Sequence, residues 1–210
     1  MRVTQITEVS KARVRVSTDE ESDFTLYKSE LRRFRIRQGE EIEEDALGAI
    51  MEELLPKRAK LRAMNLLKNR DYTVKQLQEK LREGGYPEKI ITEALGYVES
   101  FHYTDDCRYA VNFIRNHVQD RSRRRIEQDL LGRGIRRDTL ERAWDEWEAE
   151  GGSQNEQAMI GNLLKKKGFD CQAASLKECR KMYGFLMRKG FSGEQVCRAL
   201  SQTKLSFEEN

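Results

Sequence analysis

Arg121, Arg123, Arg124, Arg125, Arg133, Arg136 and Arg137 crowd the segment 121–137, opposed there only by Glu127 and Asp129. The following stretch, 138–150, reverses the sign: Asp138, Glu141, Asp145, Glu146, Glu148 and Glu150 stand against Arg142 alone. A guanidinium presents a planar fork of donors that grips two oxygens of a phosphate or carboxylate together. The chemistry on offer is therefore binding of an anionic partner, either nucleic acid or acidic protein. The bland alternative is pairing of the two stretches across neighbouring helices, or a merely solvated face. A second basic set, Lys165, Lys166, Lys167, Arg180, Lys181, Arg188 and Lys189, lies further on. Stacking of repeats would put Lys181 and Lys189 on one concave face with the first set. A third set, Lys28, Arg32, Arg33, Arg35 and Arg37, has an acidic neighbour at 40–45 and reads as locally neutralised.

Catalysis finds no footing. Asp105 and Asp106 are adjacent, and neighbours on a helix point about 100° apart, so they are poorly set to share a proton or an ion. Their better use is at a helix start, with Asp105 accepting from unsatisfied backbone amides, Asp106 favouring the dipole and Arg108 pairing with either. The four cysteines, at 107, 171, 179 and 197, contain no CxxC, and His102 and His117 are the only imidazoles. Zinc ligation needs shorter, clustered spacings, so reduced and half-buried cysteines are expected. No glycine-rich phosphate loop and no nucleophile–base arrangement occurs. No catalytic, metal-binding or cofactor-binding residues are expected. Trp144 and Trp147, at i and i+3 among carboxylates, read as core rather than base-stacking residues.

The chain has 210 residues, 38% hydrophobic and 36% charged, with a net charge of only +3. That is thin material for one large core, and a string of small modules suits it better. No leader-like segment or long apolar run is present, so a soluble, cytoplasmic protein with no membrane association is expected.

The modules repeat. Aligned on Gly85, Gly134 and Gly190, the next residue is apolar (Tyr86, Ile135, Phe191), and alanine recurs nine positions on (Ala94, Ala143, Ala199). A bulky residue follows it (Leu95, Trp144, Leu200), leucine lies four before (Leu81, Leu130, Leu186), and Leu77, Ile126 and Met182 lie eight before. Residues four and eight before the glycine share one helical face. The glycine is a natural left-handed cap, the residue after it packs back, and the alanine admits a close second helix. Upstream, Ala63, Ala110 and Ala158 sit in a further amphipathic helix. Each unit thus holds three helices in a helix-turn-helix-like plan, and the units fall at 58–103, 104–152 and 153–210, the last with a tail. Stacked in series they predict an elongated, curved array.

Residues 1–57 differ. Segments 3–9, 13–17 and 24–27 are short, partly alternating and rich in Val, Ile, Thr and Tyr. They predict a small three-stranded antiparallel sheet. Its apolar face needs a cover, and a helix at about 43–55 supplies one through Leu47, Ile50, Met51 and Leu54, with Gly39 as the turn before it and Pro56 as its end. The expected fold is therefore mainly α: a small β module, then three tandem three-helix repeats.

Tyr103, Thr104, Asp105 and Asp106, followed by Arg108, Tyr109, Ala110 and Phe113, then basic residues, Ile126, Leu130, Gly134 and Ile135, resemble the signature of the RecX family of regulatory proteins. The segment 63–103 looks like the family's first repeat, and the early strands with 39–42 like the N-terminal region of its longer members. The chain departs from many members at Asp120-Arg121-Ser122-Arg123, where they carry glycine, and in the longer loop at 168–175. The resemblance implies a monomeric modulator, most often an inhibitor, that binds RecA filaments on single-stranded DNA, lies in the filament groove and restrains ATPase, strand exchange and co-protease activity. It thereby implies regulation of DNA repair, recombination and the SOS response. Tyr103, Asp105, Asp106, Arg108, Phe113 and Gly134 are then structural motif residues, with Tyr103 packed at the joint between repeats. The rivals are a direct DNA binder built from helix-turn-helix units and a non-catalytic helical adaptor. Of the three starts after the glycines, only Arg136-Arg137-Asp138 suits a recognition helix, which argues against sequence-specific reading and leaves single-stranded or duplex DNA as an alternative partner.

Overall fold

The computed structural model describes residues 1–20, 22–171 and 173–205, and the tail at 206–210 lies outside the described residues. The chain divides into two units, Met1–Asp105 and Asp106–Asn210.

In the first unit, β1 (Val3–Glu8), β2 (Arg13–Thr18) and β3 (Phe24–Tyr27) form an antiparallel sheet in the order β1-β2-β3. Alternation sets its faces. Val14, Val16, Phe24 and Leu26 are buried, and Arg13 and Arg15 point away from them, in register with Tyr27 and Thr25. A short helix, α1 (Lys28–Arg33), follows β3 directly. The Tyr27 amide donates to the Glu30 carboxylate at 2.7 Å. The capping position holds Tyr27 rather than Ser, Thr, Asp or Asn, so the sequence does not announce a helix there.

The cover expected over the sheet is present, with Ile50 fully buried among Val3, Val16, Phe24 and Leu26. The expected stop at Pro56 is not. Helix α2 (Glu44–Gly48) passes into a π-helical segment, Ala49–Leu54, and on into α3 (Leu55–Asn69). A proline inside a regular α-helix loses one hydrogen bond and presses its ring on the carbonyl four residues back. Here the wider π turn precedes it, and Pro56 stands in the first turn of α3, where no amide is needed. Leu55 and Pro56 are buried, so packing holds the continuous helix in place.

Helix α3 leads the first repeat, with α4 (Val74–Glu83) and α5 (Glu88–Ser100). The second unit holds α6 (Asp106–His117), α7 (Arg123–Gly132) and α8 (Arg137–Ala149), then α9 (Glu156–Lys166), α10 (Leu176–Arg188) and α11 (Gly193–Leu205). The second helix of each repeat ends before its glycine, at φ +78° for Gly85, +91° for Gly134 and +93° for Gly190. The cap is closed by backbone bonds: Gly134 to the Leu131 carbonyl at 3.0 Å and Ile135 to the Leu130 carbonyl at 3.1 Å. Leu81, Leu130 and Leu186 are fully buried behind the turns, with Ala94 and Ala143 equally so. Trp144 and Trp147 join the core of the second repeat, edge to face at 5.5 Å.

Two of these glycines are also packing sites. A Cβ on Gly85 would run into the Thr25 hydroxyl, and the Thr25 amide donates to the Gly85 carbonyl at 2.9 Å. A Cβ on Gly190 would collide with the Ser122 hydroxyl and stand 3.0 Å from the Arg125 Cβ. Ser122 caps α7, accepting from the Arg125 amide at 3.3 Å, and donates to the Lys189 carbonyl at 3.0 Å. The second and third repeats therefore meet backbone to hydroxyl, with Ser122 fully buried.

Gly151 is a control for that contact, with φ +88° in open space. Gly151→Ala is expected to cost about 1–2 kcal/mol through backbone strain alone. Gly190→Ala adds a collision worth roughly 1–3 kcal/mol more. Denaturant melts of the two variants should show the second as clearly weaker; equal losses would contradict the contact.

Candidate partner-binding surface

Helix α7 begins against the grain of its own dipole. A helix N-terminus favours anions, yet its first three residues are Arg123, Arg124 and Arg125, and no acid stands in the first turn. Carboxylates brought from elsewhere offset the conflict. Asp129, one turn on and 17% exposed, is clamped by Arg121 at 2.7 Å and Arg125 at 3.1 Å. Arg123 pairs with Glu127 at 3.2 Å and, across to α8, with Glu148 at 3.0 Å, its guanidinium 4.4 Å from the centre of the Trp144 ring. Its amide donates to Glu156 at 2.6 Å. The acidic stretch thus answers the basic one in part, through Glu148 for Arg123 and Asp138 for Arg136.

Phe113 gathers the inner part of the cluster. Its ring lies in the core of the second repeat, and the guanidiniums of Arg133 and Arg121 approach its centre to 4.7 and 5.8 Å. Arg133 also donates to the Tyr109 hydroxyl at 2.8 Å. His117 packs on the same ring at 4.3 Å. Its buried Nδ1 has no hydrogen-bond partner among the described residues, with Asp120 at 4.0 Å. Burial, and then the Arg121 charge, push the imidazole below its ordinary value, with Arg133 adding to them and Asp120 and Asp129 opposing. Sequence spacing gave no hint of this histidine, because its neighbours come from three segments.

The outer arginines differ. Arg136 is 77% exposed and forks onto Asp138 at 3.2 and 2.5 Å, and its hydrogen bonds hold the Asp138 carboxyl below the usual carboxylate range. Arg124 and Arg137 are exposed and, among the described residues, have no carboxylate within 4.0 Å. Lys181 is exposed on α10. Lys189 ends that helix with its carbonyl on Ser122, which brings its backbone to the start of α7, while its ammonium lies 5.8 Å from the Phe185 ring centre. Of the third basic set, Arg37 pairs with Glu40 of the acidic neighbour at 3.6 Å, while Lys28 pairs with Glu8 at 2.5 Å.

The motif residues separate as well. Helix α6 starts at Asp106, which leaves Asp105 at the preceding, capping position. Arg108 is exposed on that helix. Gly134 supplies the turn already described. Tyr103 is 50% exposed and stacks at 5.8 Å on Phe101, itself 54% exposed. Among the described residues, no group of three His, Cys, Asp or Glu side chains converges as for a metal ion, and no helix is long and apolar enough to cross a membrane.

A small sheet followed along the chain by three-helix modules defines a mainly helical repeat protein. Residues 59–97, 105–143 and 155–200 match the families described as the first, second and third three-helix domains of RecX. The regulatory protein RecX of Caldanaerobacter subterraneus subsp. tengcongensis is 30% identical over 169 residues, covering 80% of this chain and 82% of that one. That of Clostridioides difficile (strain 630) is 28% identical over 200 residues, covering 94% and 92%. A crystal structure of regulatory protein RecX shares the fold with a TM-score of 0.57 at 22% identity, over 92% of this chain and 96% of that one. The RecX of Lactobacillus salivarius gives 0.55 at 20% identity, over 72% and 97%. The chain belongs to the RecX family of regulatory proteins, and its role is regulatory rather than catalytic.

The setting of His117 carries a pH dependence with a definite sign. Its pKa is depressed in the folded state, so the stability it contributes is fully present above the ordinary histidine value of about 6.5 and is lost as pH falls below it. Wild type should therefore lose more melting temperature between neutral and mildly acidic pH than His117→Gln does. Parallel melting curves across that range would contradict the depressed imidazole.

Proposed function

We propose that this chain binds RecA filaments assembled on single-stranded DNA and restrains their ATPase, strand-exchange and co-protease activities without chemistry of its own. It acts as a cytoplasmic monomer in the regulation of DNA repair, recombination and the SOS response. Family membership supports the choice of partner. The observation that bears most on mechanism is the outward pair Arg124 and Arg137, whose guanidiniums are not engaged by carboxylates among the described residues. A groove containing DNA presents phosphates, and an arginine already extended toward solvent meets them without first breaking an internal pair.

The nine basic residues of the surface then have two roles. Arg121, Arg123, Arg125 and Arg133 shape it, held by Asp129, Glu127, Glu148 and Phe113. Arg124, Arg136 and Arg137 make contacts, joined by Lys181 and Lys189 of the third repeat. Asp105 and Asp106 serve the start of α6 and not the partner. Several modest contacts made together add to a firm hold.

The test is inhibition of RecA ATPase on single-stranded DNA, titrated at several salt concentrations. A hydrogen bond between charged groups is worth about 1.5–3 kcal/mol, so Arg124→Glu with Arg137→Glu should raise the half-inhibiting concentration by roughly tenfold or more. The variant's salt dependence should also be shallower than that of the wild type. Circular dichroism should show an unchanged fold, since neither side chain is paired with a carboxylate among the described residues. A folded double variant that inhibits as well as wild type, with the same salt dependence, would make these residues a solvated face.

A further inference from the structure

A cleft of about 460 Å³ opens in the first unit, where the outer face of the sheet meets the first repeat. One wall is Arg13 of β2 with Tyr27, its register partner on β3. The opposite wall is α3, where Arg58, Leu61, Arg62 and Asn65 fall at i, i+3, i+4 and i+7 and so share one face. Tyr86 and the end of α4, with Lys80 and Glu83, close it. The close approach of Thr25 to Gly85 brings these parts together.

Its charge is unbalanced. Arg13, Arg58, Arg62 and Lys80 line it against the single carboxylate of Glu83. Two of the cations are answered: Arg58 by Glu30, while it lies 4.8 Å from the centre of the Tyr27 ring, and Lys80 by Glu83 at 2.6 Å. Arg13 and Arg62 have no carboxylate within 4.0 Å among the described residues. The Tyr86 phenol is pushed up by burial, and the charges of Arg58, Arg62 and Arg13 all oppose that rise, which puts three guanidiniums around one half-buried hydroxyl. Like charges gathered at a partly enclosed site repel unless an anion joins them. Folding alone asks only for an acid beside each, as Glu30 provides for Arg58.

We propose that this cleft seats a phosphate of single-stranded nucleic acid, with Arg13 and Arg62 as its cations and Tyr27 and Leu61 as the wall for the adjoining sugar and base. One carboxylate is satisfied by one guanidinium fork, whereas a phosphate has oxygens enough for two forks and the phenol. Tyr27 is 42% exposed and Leu61 50% exposed beside those cations, an apolar surface that suits a stacked or packed nucleoside. The volume exceeds what an isolated ion needs. This seat lies on the N-terminal unit and concerns the bare strand, so its failure and that of the filament reading are separate results.

The test uses the full chain and a fluorescein-labelled oligothymidylate, with anisotropy followed over a range of salt. Arg13→Gln with Arg62→Gln should weaken binding roughly tenfold or more. It should also flatten the log–log salt slope by about 0.7, the value expected for one phosphate contact on a single strand. Arg62→Gln alone should lose about half of that slope change and guards against a folding defect in the pair, which thermal melts also monitor. Lys57→Gln with Lys68→Gln removes the same charge from exposed positions of the same helix and should leave binding near wild type. The assignment is overturned if the cleft variants bind with unchanged affinity and slope, or if the control pair weakens binding as much. It is also overturned if polyglutamate or pyrophosphate, at matched charge, displaces the labelled strand as well as unlabelled oligothymidylate does. The ligand would then be an acidic peptide or a free phosphate compound.

Discussion

Backbone turns without side chains, filled by a hydroxyl from the preceding module, are the contact on which the modular build depends. Gly190 adopts a left-handed conformation that closes α10, and the space left by its missing Cβ is taken by Ser122. The same hydroxyl caps α7 and binds the Lys189 carbonyl, so one side chain ends a helix start, joins two repeats and fixes where the arginines of α7 begin. Thr25 does the equivalent for Gly85, tying the sheet to the first repeat. Small three-helix modules bury little surface alone, and contacts of this kind let neighbours share a boundary without a broad apolar interface.

Function follows from what that boundary holds in place. Three arginines at the start of α7 are unfavourable for the helix itself. Asp129, held between Arg121 and Arg125, is the main compensation, and Phe113 supplies the flat surface on which Arg121 and Arg133 rest. The result is a graded set: inner guanidiniums fixed by acids and rings, outer ones extended toward solvent. A partner that carries phosphates or carboxylates meets cations already oriented, which lowers the ordering cost of association.

Much of the fold is legible in the sequence because its signals are local. The leucines four before each glycine, the apolar residue after it and the alanine nine on report one turn and two helix faces, and all fall within a single short window. The sheet is legible from the alternation of Val14 and Val16 with Arg13 and Arg15. The helix through Pro56 was not, because a π turn leaves no compositional mark and Leu55 stays there through packing. The capping hydroxyls were hidden differently. Thr73 and Ser122 stand twelve positions before their glycines but Ser175 fifteen, so they drop out of the alignment, although Thr73 with Gln76 and Ser175 with Glu178 do spell capping boxes. At the surface, the density of arginine was legible and its division was not. The pairs Arg123–Glu127 and Arg125–Asp129 follow from helical spacing, whereas Arg123–Glu148 depends on how α8 lies against α7, and the neighbours of His117 and Arg62 come from separate elements.

The central claim is that the start of α7 and the outward arginines beside it face the filament. Hydrogen–deuterium exchange of the chain, alone and with RecA filament on single-stranded DNA, tests it most directly. The account predicts slowed exchange across 121–137 on filament binding. Unchanged exchange there, with protection confined to other segments of a chain that is demonstrably bound, would contradict it.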